Sequence, residues 1–226
     1  MTPRKSRARV PPFFAGAKYD GMRALLIRSW RELWGQGDFP FLFMQFPKGG
    51  GWNKLGQVRR LPDPYPANET GMHSLEHFSD SLSEPNTAMA ISFDLEEGTH
   101  PLDKQSYGLR FALTALGTVY GKDVVMSGPA YESMAVEEDK VRLRLRDAGG
   151  GLMVMGGGPL QGFAVAGADK RFVWAQARIE GDTVLVWSER VRKPAMVRYG
   201  WGYLPKWCNL FSKAGFPALP FRTDRP

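Results

Sequence analysis

His100 is the residue from which chemistry is most readily built. It lies in the loop Gly98–Thr99–His100–Pro101, with Glu97, Glu96 and Asp94 three, four and six residues before it. A histidine that moves protons needs a carboxylate to fix its tautomer and steady the imidazolium. One short loop carrying both groups supplies this at little ordering cost. Taken from spacing alone, a histidine in a polar loop is an ordinary surface residue more often than a base. His73 and His77 stand four apart, as zinc ligands on a helix would, but no third ligand follows nearby. Metal binding is therefore not expected there. The glycine triplets Gly49–Gly51, Gly149–Gly151 and Gly156–Gly158 fit no phosphate-loop pattern and read as turns. No Gly-x-Ser-x-Gly or His-Glu-x-x-His block is present. Tyr199, Trp201, Tyr203 and Trp207 are spaced as a sugar-binding platform or as part of a core, with the core favoured.

The elements that must position His100 follow from periodicity. Lys18–Gly35 carries Met22, Leu25, Leu26, Trp30 and Leu33 at helical spacing, with Arg23, Arg28 and Arg31 on a face read as solvated. Phe39–Phe46 reads as a buried strand. Residues 49–85 form a long irregular segment, with a short helix expected near His73–Phe78. Thr87–Leu95 reads as a second buried strand. Lys104–Tyr120 follows as a helix with Tyr107, Phe111, Ala115, Leu116 and Val119 as its apolar stripe. Strand, polar loop and helix in that order are how open α/β sheets build sites at strand carboxyl ends. Beyond Gly121 the period changes to two, most clearly in Val141–Arg146. Leu152–Met155, Gly162–Ala166, Phe172–Ile179, Thr183–Trp187 and Ala195–Tyr199 follow at short intervals. This predicts an antiparallel β-sandwich from about residue 122.

Composition sets the outer bounds. The 226 residues are 43% hydrophobic and 23% charged, those of an ordinary globular chain. Cys208 is the sole cysteine, which excludes a disulfide framework, and three histidines are poor material for a metal cage. No apolar run is long enough to span a membrane, and residues 1–17 do not read as a signal peptide. The net charge of +7 is concentrated early: residues 1–60 hold twelve Lys and Arg against three Asp and Glu. Without a recognisable module or interleaved stacking aromatics, this reads as a basic terminus and not as a nucleic-acid surface.

Three stretches carry a resemblance: Leu26–Gln45, Pro85–Gly121 and Val141–Asp224. Together they resemble the C-terminal half of the sialate O-acetylesterase family, within the SGNH-hydrolase superfamily. The resemblance implies a partial flavodoxin-like α/β layer over residues 1–121, followed by a β-sandwich over 122–226. It also implies hydrolysis of O-acetyl esters on sialic acid or other sugars by a Ser/His/acid mechanism, with no metal or cofactor. His100–Pro101 and Lys104 match the family's His-Pro-x-Asn-Lys motif, so His100 resembles the general base. Asp103 stands where the family has Asn, and Gly98 where it places an Asp. Glu97 is then the expected orienting acid, with Glu96 and Asp94 behind it.

The family's nucleophile block, Gly-Gln-Ser-Asn-Met, and its Trp-Tyr-Gln-Gly-Glu block are both missing. A His–carboxylate pair without nucleophile and oxyanion donors cannot run acyl transfer. The expectation is a truncated esterase, inactive alone, with an acetylated glycan as the family's substrate and an upstream N-terminal half as partner. The alternative is a non-catalytic carbohydrate-binding or interaction module. Family members are commonly secreted or periplasmic. An incomplete sheet would leave apolar surface near Phe39–Phe46, so self-association is expected.

Overall fold

The computed structural model describes residues 22–45, 81–92, 94–95, 101–201 and 208–224. They are mostly sheet, with two long helices. Helix α1 (Met22–Trp34) leads into strand β1 (Phe41–Met44). A 3₁₀ turn at Ser81–Ser83 precedes strand β2 (Thr87–Ala90), and helix α2 (Lys104–Thr118) follows it. β1 and β2 pair in parallel, Phe41 opposite Thr87 and Met44 opposite Ala90. Because side chains alternate along a strand, Phe41 and Phe43 share one face. That face meets α1: Trp30 and Phe41 lie 5.8 Å apart, and the Arg23 guanidinium sits 4.9 Å from the Phe43 ring.

α1 departs from its expected orientation. Its buried residues are Ile27 and Arg31, while Met22, Leu25, Leu26, Trp30 and Leu33 are exposed. Arg31, expected on a wet face, is 6% exposed. Its guanidinium donates to the carbonyls of Phe39 at 2.8 Å and Pro85 at 2.6 Å. Those two carbonyls immediately precede the parallel strands, so one cation satisfies acceptors that would otherwise be stranded. β1 itself is half-buried along its length, not fully buried as expected.

Among the described residues, the rest of the chain forms two four-stranded antiparallel sheets and a two-stranded one. The first has the order β3 (Ala130–Glu137), β4 (Lys140–Arg146), β9 (Thr183–Trp187), β8 (Gln176–Glu180). The second has the order β12 (Phe221–Arg222), β10 (Met196–Tyr199), β6 (Phe163–Ala166), β7 (Val173–Trp174). β5 (Leu152–Val154) pairs with β11 (Leu210–Ser212). In β4 the alternation is realised directly. Val141, Leu143 and Leu145 are buried, while Arg142 reaches Glu137 at 2.6 Å and Glu180 at 2.9 Å across the wet face. One apolar cluster draws on both four-stranded sheets, with Leu143 and Val186 from one and Phe163, Val165 and Val197 from the other.

Phe172–Ile179, expected as one strand, is two. β7 and β8 belong to different sheets, and the chain changes sheet at Ala175, whose N–H donates to the Phe163 carbonyl at 3.0 Å. A strand that turns a corner in this way joins two packed sheets without a loop. The last two glycine triplets are turns: Gly149–Gly151 and Gly156–Gly158 all have positive φ. The triplet Gly49–Gly51 lies outside the described residues. Among the described residues, no helix is long and apolar enough to cross a membrane.

Candidate functional site

The candidate site begins where β1 and β2 end. Gln45, just past β1, donates its N–H to the Ala90 carbonyl at 2.8 Å and accepts at its own carbonyl from Ser92 Oγ. Ile91 and Ser92 are buried, and Ile91 joins the apolar cluster of the antiparallel sheets. The chain leaving β2 is therefore anchored before it reaches the polar loop. The Gln45 side chain is buried as well, and its Oε1 accepts no hydrogen bond. A buried carboxamide oxygen without a donor is costly.

Asp94 is held next. Arg110, from the second turn of α2, places two nitrogens on the Asp94 carboxylate at 2.9 and 3.3 Å and reaches the Ile91 carbonyl at 3.3 Å. The pair is largely screened from water, with 11% of the Arg110 side chain and 17% of that of Asp94 exposed. The other face of the guanidinium lies 4.6 Å from the Phe216 ring. Arg110 thus ties the loop after β2 to α2 and to the residues following β11. A bidentate arginine–carboxylate pair fixes orientation as well as distance. Asp94 is accordingly committed to holding the loop.

At the loop's far end Asp103 caps α2, its carboxylate accepting from the Ser106 N–H at 3.0 Å. Hydrogen bonds from the Ser106 hydroxyl and N–H hold this carboxyl below its ordinary pKa. Lys104 reaches back to the Pro101 carbonyl at 2.5 Å. The motif residues Pro101, Asp103 and Lys104 therefore form the helix entry that terminates the loop. Replacing Asp103 by alanine is expected to lower stability by about 1 kcal/mol. Replacement by asparagine, which also caps, should cost less. Urea midpoints of the two variants check this.

His100, Glu97 and Glu96 lie outside the described residues, as do His73, His77, Tyr203 and Trp207. What the structure describes is the residues on either side of the segment 96–100: Ser92 and Asp94 before it, held by Gln45 and Arg110, and the helix cap Asp103 after it. Sequence reasoning missed Gln45, Ser92 and Arg110. Arg110 had a signal, since it falls between Tyr107 and Phe111 on the expected inner side of α2. Thr114, the buried residue of that helix, is one turn further on and donates to the Arg110 carbonyl at 2.9 Å. Tyr199 and Trp201 are both buried, at 1% and 2% exposure, which places them in the interior and not on a sugar platform. Among the described residues, no three His, Cys, Asp or Glu side chains gather as a metal site would require.

No known family model matches the chain, and no curated protein does. A solved structure does match: a carbohydrate acetylesterase from Xanthomonas citri, 35% identical, with a TM-score of 0.78. The likeness takes in 93% of this chain and 47% of that enzyme. The chain thus spans about half the length of that structure. At this identity the likeness extends beyond fold and supports an esterase-like family.

Proposed function

We propose that this chain is the histidine-bearing portion of a carbohydrate O-acetylesterase of the sialate type, with an acetylated glycan as substrate. The observation that carries the reading is the 35% identity to a carbohydrate acetylesterase across 93% of the chain. Asp94 and Asp103, held before and after the sequence segment that contains His100, are in keeping with it. In this reading His100 takes the proton of a serine hydroxyl as that oxygen attacks the acetyl carbonyl. It then returns the proton to the departing sugar oxygen, leaving an acetyl-enzyme. Water, deprotonated by the same imidazole, releases acetate and regenerates the serine. Glu97 orients the imidazole throughout.

The serine and the oxyanion donors are not recognisable in this sequence. In this reading they belong to the part of the enzyme that the chain does not span. Purified alone, the chain is then expected to hydrolyse an aryl acetate no faster than buffer, and His100→Ala should change nothing. Hydrolysis well above buffer that disappears in His100→Ala would overturn this expectation and reveal a nucleophile within the chain. Measured glycan binding without hydrolysis, insensitive to His100→Ala, would favour a binding module instead.

A further inference from the structure

We infer that the outer face of α2 packs against the same face of a second copy of this chain, with the two helices antiparallel and crossing at Ala112. The pairing is independent of the esterase reading, since it uses no residue of the His100 segment.

The helix carries an apolar face that its own sheet does not use. At about 100° per residue, Gln105, Gly108, Leu109, Ala112, Leu116 and Val119 fall within about 100° of one another, on the side opposite the buried Thr114. All six are exposed, Leu109 by 59%, Leu116 by 37% and Val119 by 40%. Leu116 and Val119, expected on the inner stripe with Tyr107 and Phe111, belong to this outer side. Between Gln105 and Gly121 the one charged residue is Arg110, which turns inward to Asp94. A surface helix ordinarily places its charges on its outer side, and a helix apolar on both sides is a covered one.

Spacing, shape and charge all fit a second copy. Gln105, Leu109, Ala112, Leu116 and Val119 are separated alternately by four and three, the seam spacing of two packed helices. Turned end for end about Ala112, the seam meets itself large against small, because Gly108 then faces the second copy's Leu116. A Cβ added at Gly108 would meet nothing within 4 Å, so the hollow above it is open to that side chain. Asp103 and Lys104 stand at the helix start, and Lys122 and Asp123 follow its last turn. Antiparallel packing brings Asp103 beside Lys122 and Lys104 beside Asp123, so opposite charges meet at both ends. Opposed helix dipoles favour the same arrangement. One helix pair of this length makes a small contact, below the roughly 1,200 Å² of tightly held pairs, so the dimer should dissociate on dilution.

Sedimentation of the full chain over a wide range of concentration tests this, with a reversible dimer as the expected result. Gly108→Leu separates close packing from mere stickiness. It adds apolar surface at an open position, so general stickiness would strengthen association, whereas a filled hollow should weaken the dimer at least about tenfold. Leu116→Glu should weaken it as much while leaving the melting temperature within a few degrees. Register is read by cross-linking in a Cys208→Ala background with a short bis-maleimide. Ala112→Cys should cross-link to itself, and Gln105→Cys should cross-link to Val119→Cys while neither does so alone. A chain that stays monomeric at every concentration would overturn the pairing. So would a dimer strengthened by Gly108→Leu, a dimer indifferent to Leu116→Glu, or self-cross-linking of Gln105→Cys.

Discussion

Replacing Asp224 by alanine should destabilise the folded chain by about 3–5 kcal/mol, the cost of leaving a buried charge without its partner. Asp224 binds Arg198 through both oxygens, at 2.7 and 3.0 Å, and the two side chains are only 6% and 4% exposed. The guanidinium is also held against the Phe172 ring at 3.8 Å and the Trp201 ring at 5.1 Å. It cannot swing into water when the carboxylate is removed. Next to the pair, Thr223 closes the same joint: its N–H donates to the Val197 carbonyl, and its hydroxyl accepts from the Val197 N–H at 2.9 Å. The residues Phe221–Asp224 thus add β12 to the edge of β10 and cover a buried cation at once.

Two measurements separate the electrostatic explanation from lost packing. A double variant, Arg198→Met with Asp224→Leu, should recover most of the loss, since apolar replacement of a whole buried pair is often neutral. The second is pH. Burial pushes the Asp224 carboxyl up, but hydrogen bonding and attraction from Arg198 outweigh it and leave the group below its ordinary value. A depressed folded pKa contributes stability that is full above the unfolded value, about 3.9, and is lost as pH falls through the folded one. The difference between the parent and Asp224→Ala should therefore be constant near neutrality and shrink in acid. A difference that widens in acid would contradict the ion pair as its source.

Gly128→Ala should be of similar severity for a steric reason. A Cβ at Gly128 would lie 1.9 Å from the Pro217 carbonyl oxygen and 2.8 Å from its carbon. The obstacle is backbone, and it cannot yield. Pro217 is bridged to Phe211, Ala218 donates to the Leu210 carbonyl at 2.8 Å, and Leu219 donates to the Pro129 carbonyl at 2.8 Å. Relief requires moving the segment after β11, and with it Phe216, whose ring packs on Arg110. A loss of about 3 kcal/mol or more is expected, or roughly 6–12 °C in melting temperature for a chain of this size. Because Arg110 anchors Asp94, the damage should reach the loop after β2. Hydrogen exchange at residues 91, 92, 94 and 95 should quicken in Gly128→Ala more than in strand β8, at the opposite edge of the sheet that β3 begins. Uniform quickening throughout would remove the link between the two regions.

The sequence and the structure agree where a pattern is local. The alternation of Val141–Arg146 needs only the strand period to be read, and its three apolar side chains are the ones buried. The same is true of the glycine triplets after β4 and β5. Agreement fails where a side chain's surroundings come from far along the chain. Arg31 reads as a surface cation because its acceptors, Phe39 and Pro85, are 8 and 54 residues away. The stripe on α1 identifies a helix correctly, but amphipathicity does not say which apolar flank this chain covers. β3, β11 and β12 escape notice because they are short or carry charged residues within the strand. Leu210–Ser212 and Phe221–Arg222 become strands through the partners they meet, Leu152–Val154 and Met196–Tyr199.

The expectation of a site at His100 and its neighbouring carboxylates comes from residue type and spacing, and so does the expectation that no recognisable nucleophile motif accompanies it. Both are properties of short windows, and a short window carries its chemistry with it. Only the tertiary structure decided what holds that loop. Ser92 against Gln45 and Asp94 against Arg110 are contacts across 47 and 16 residues. Such pairs form because burial makes an unpartnered polar group expensive, so the folded chain must bring donors and acceptors together wherever they lie in sequence.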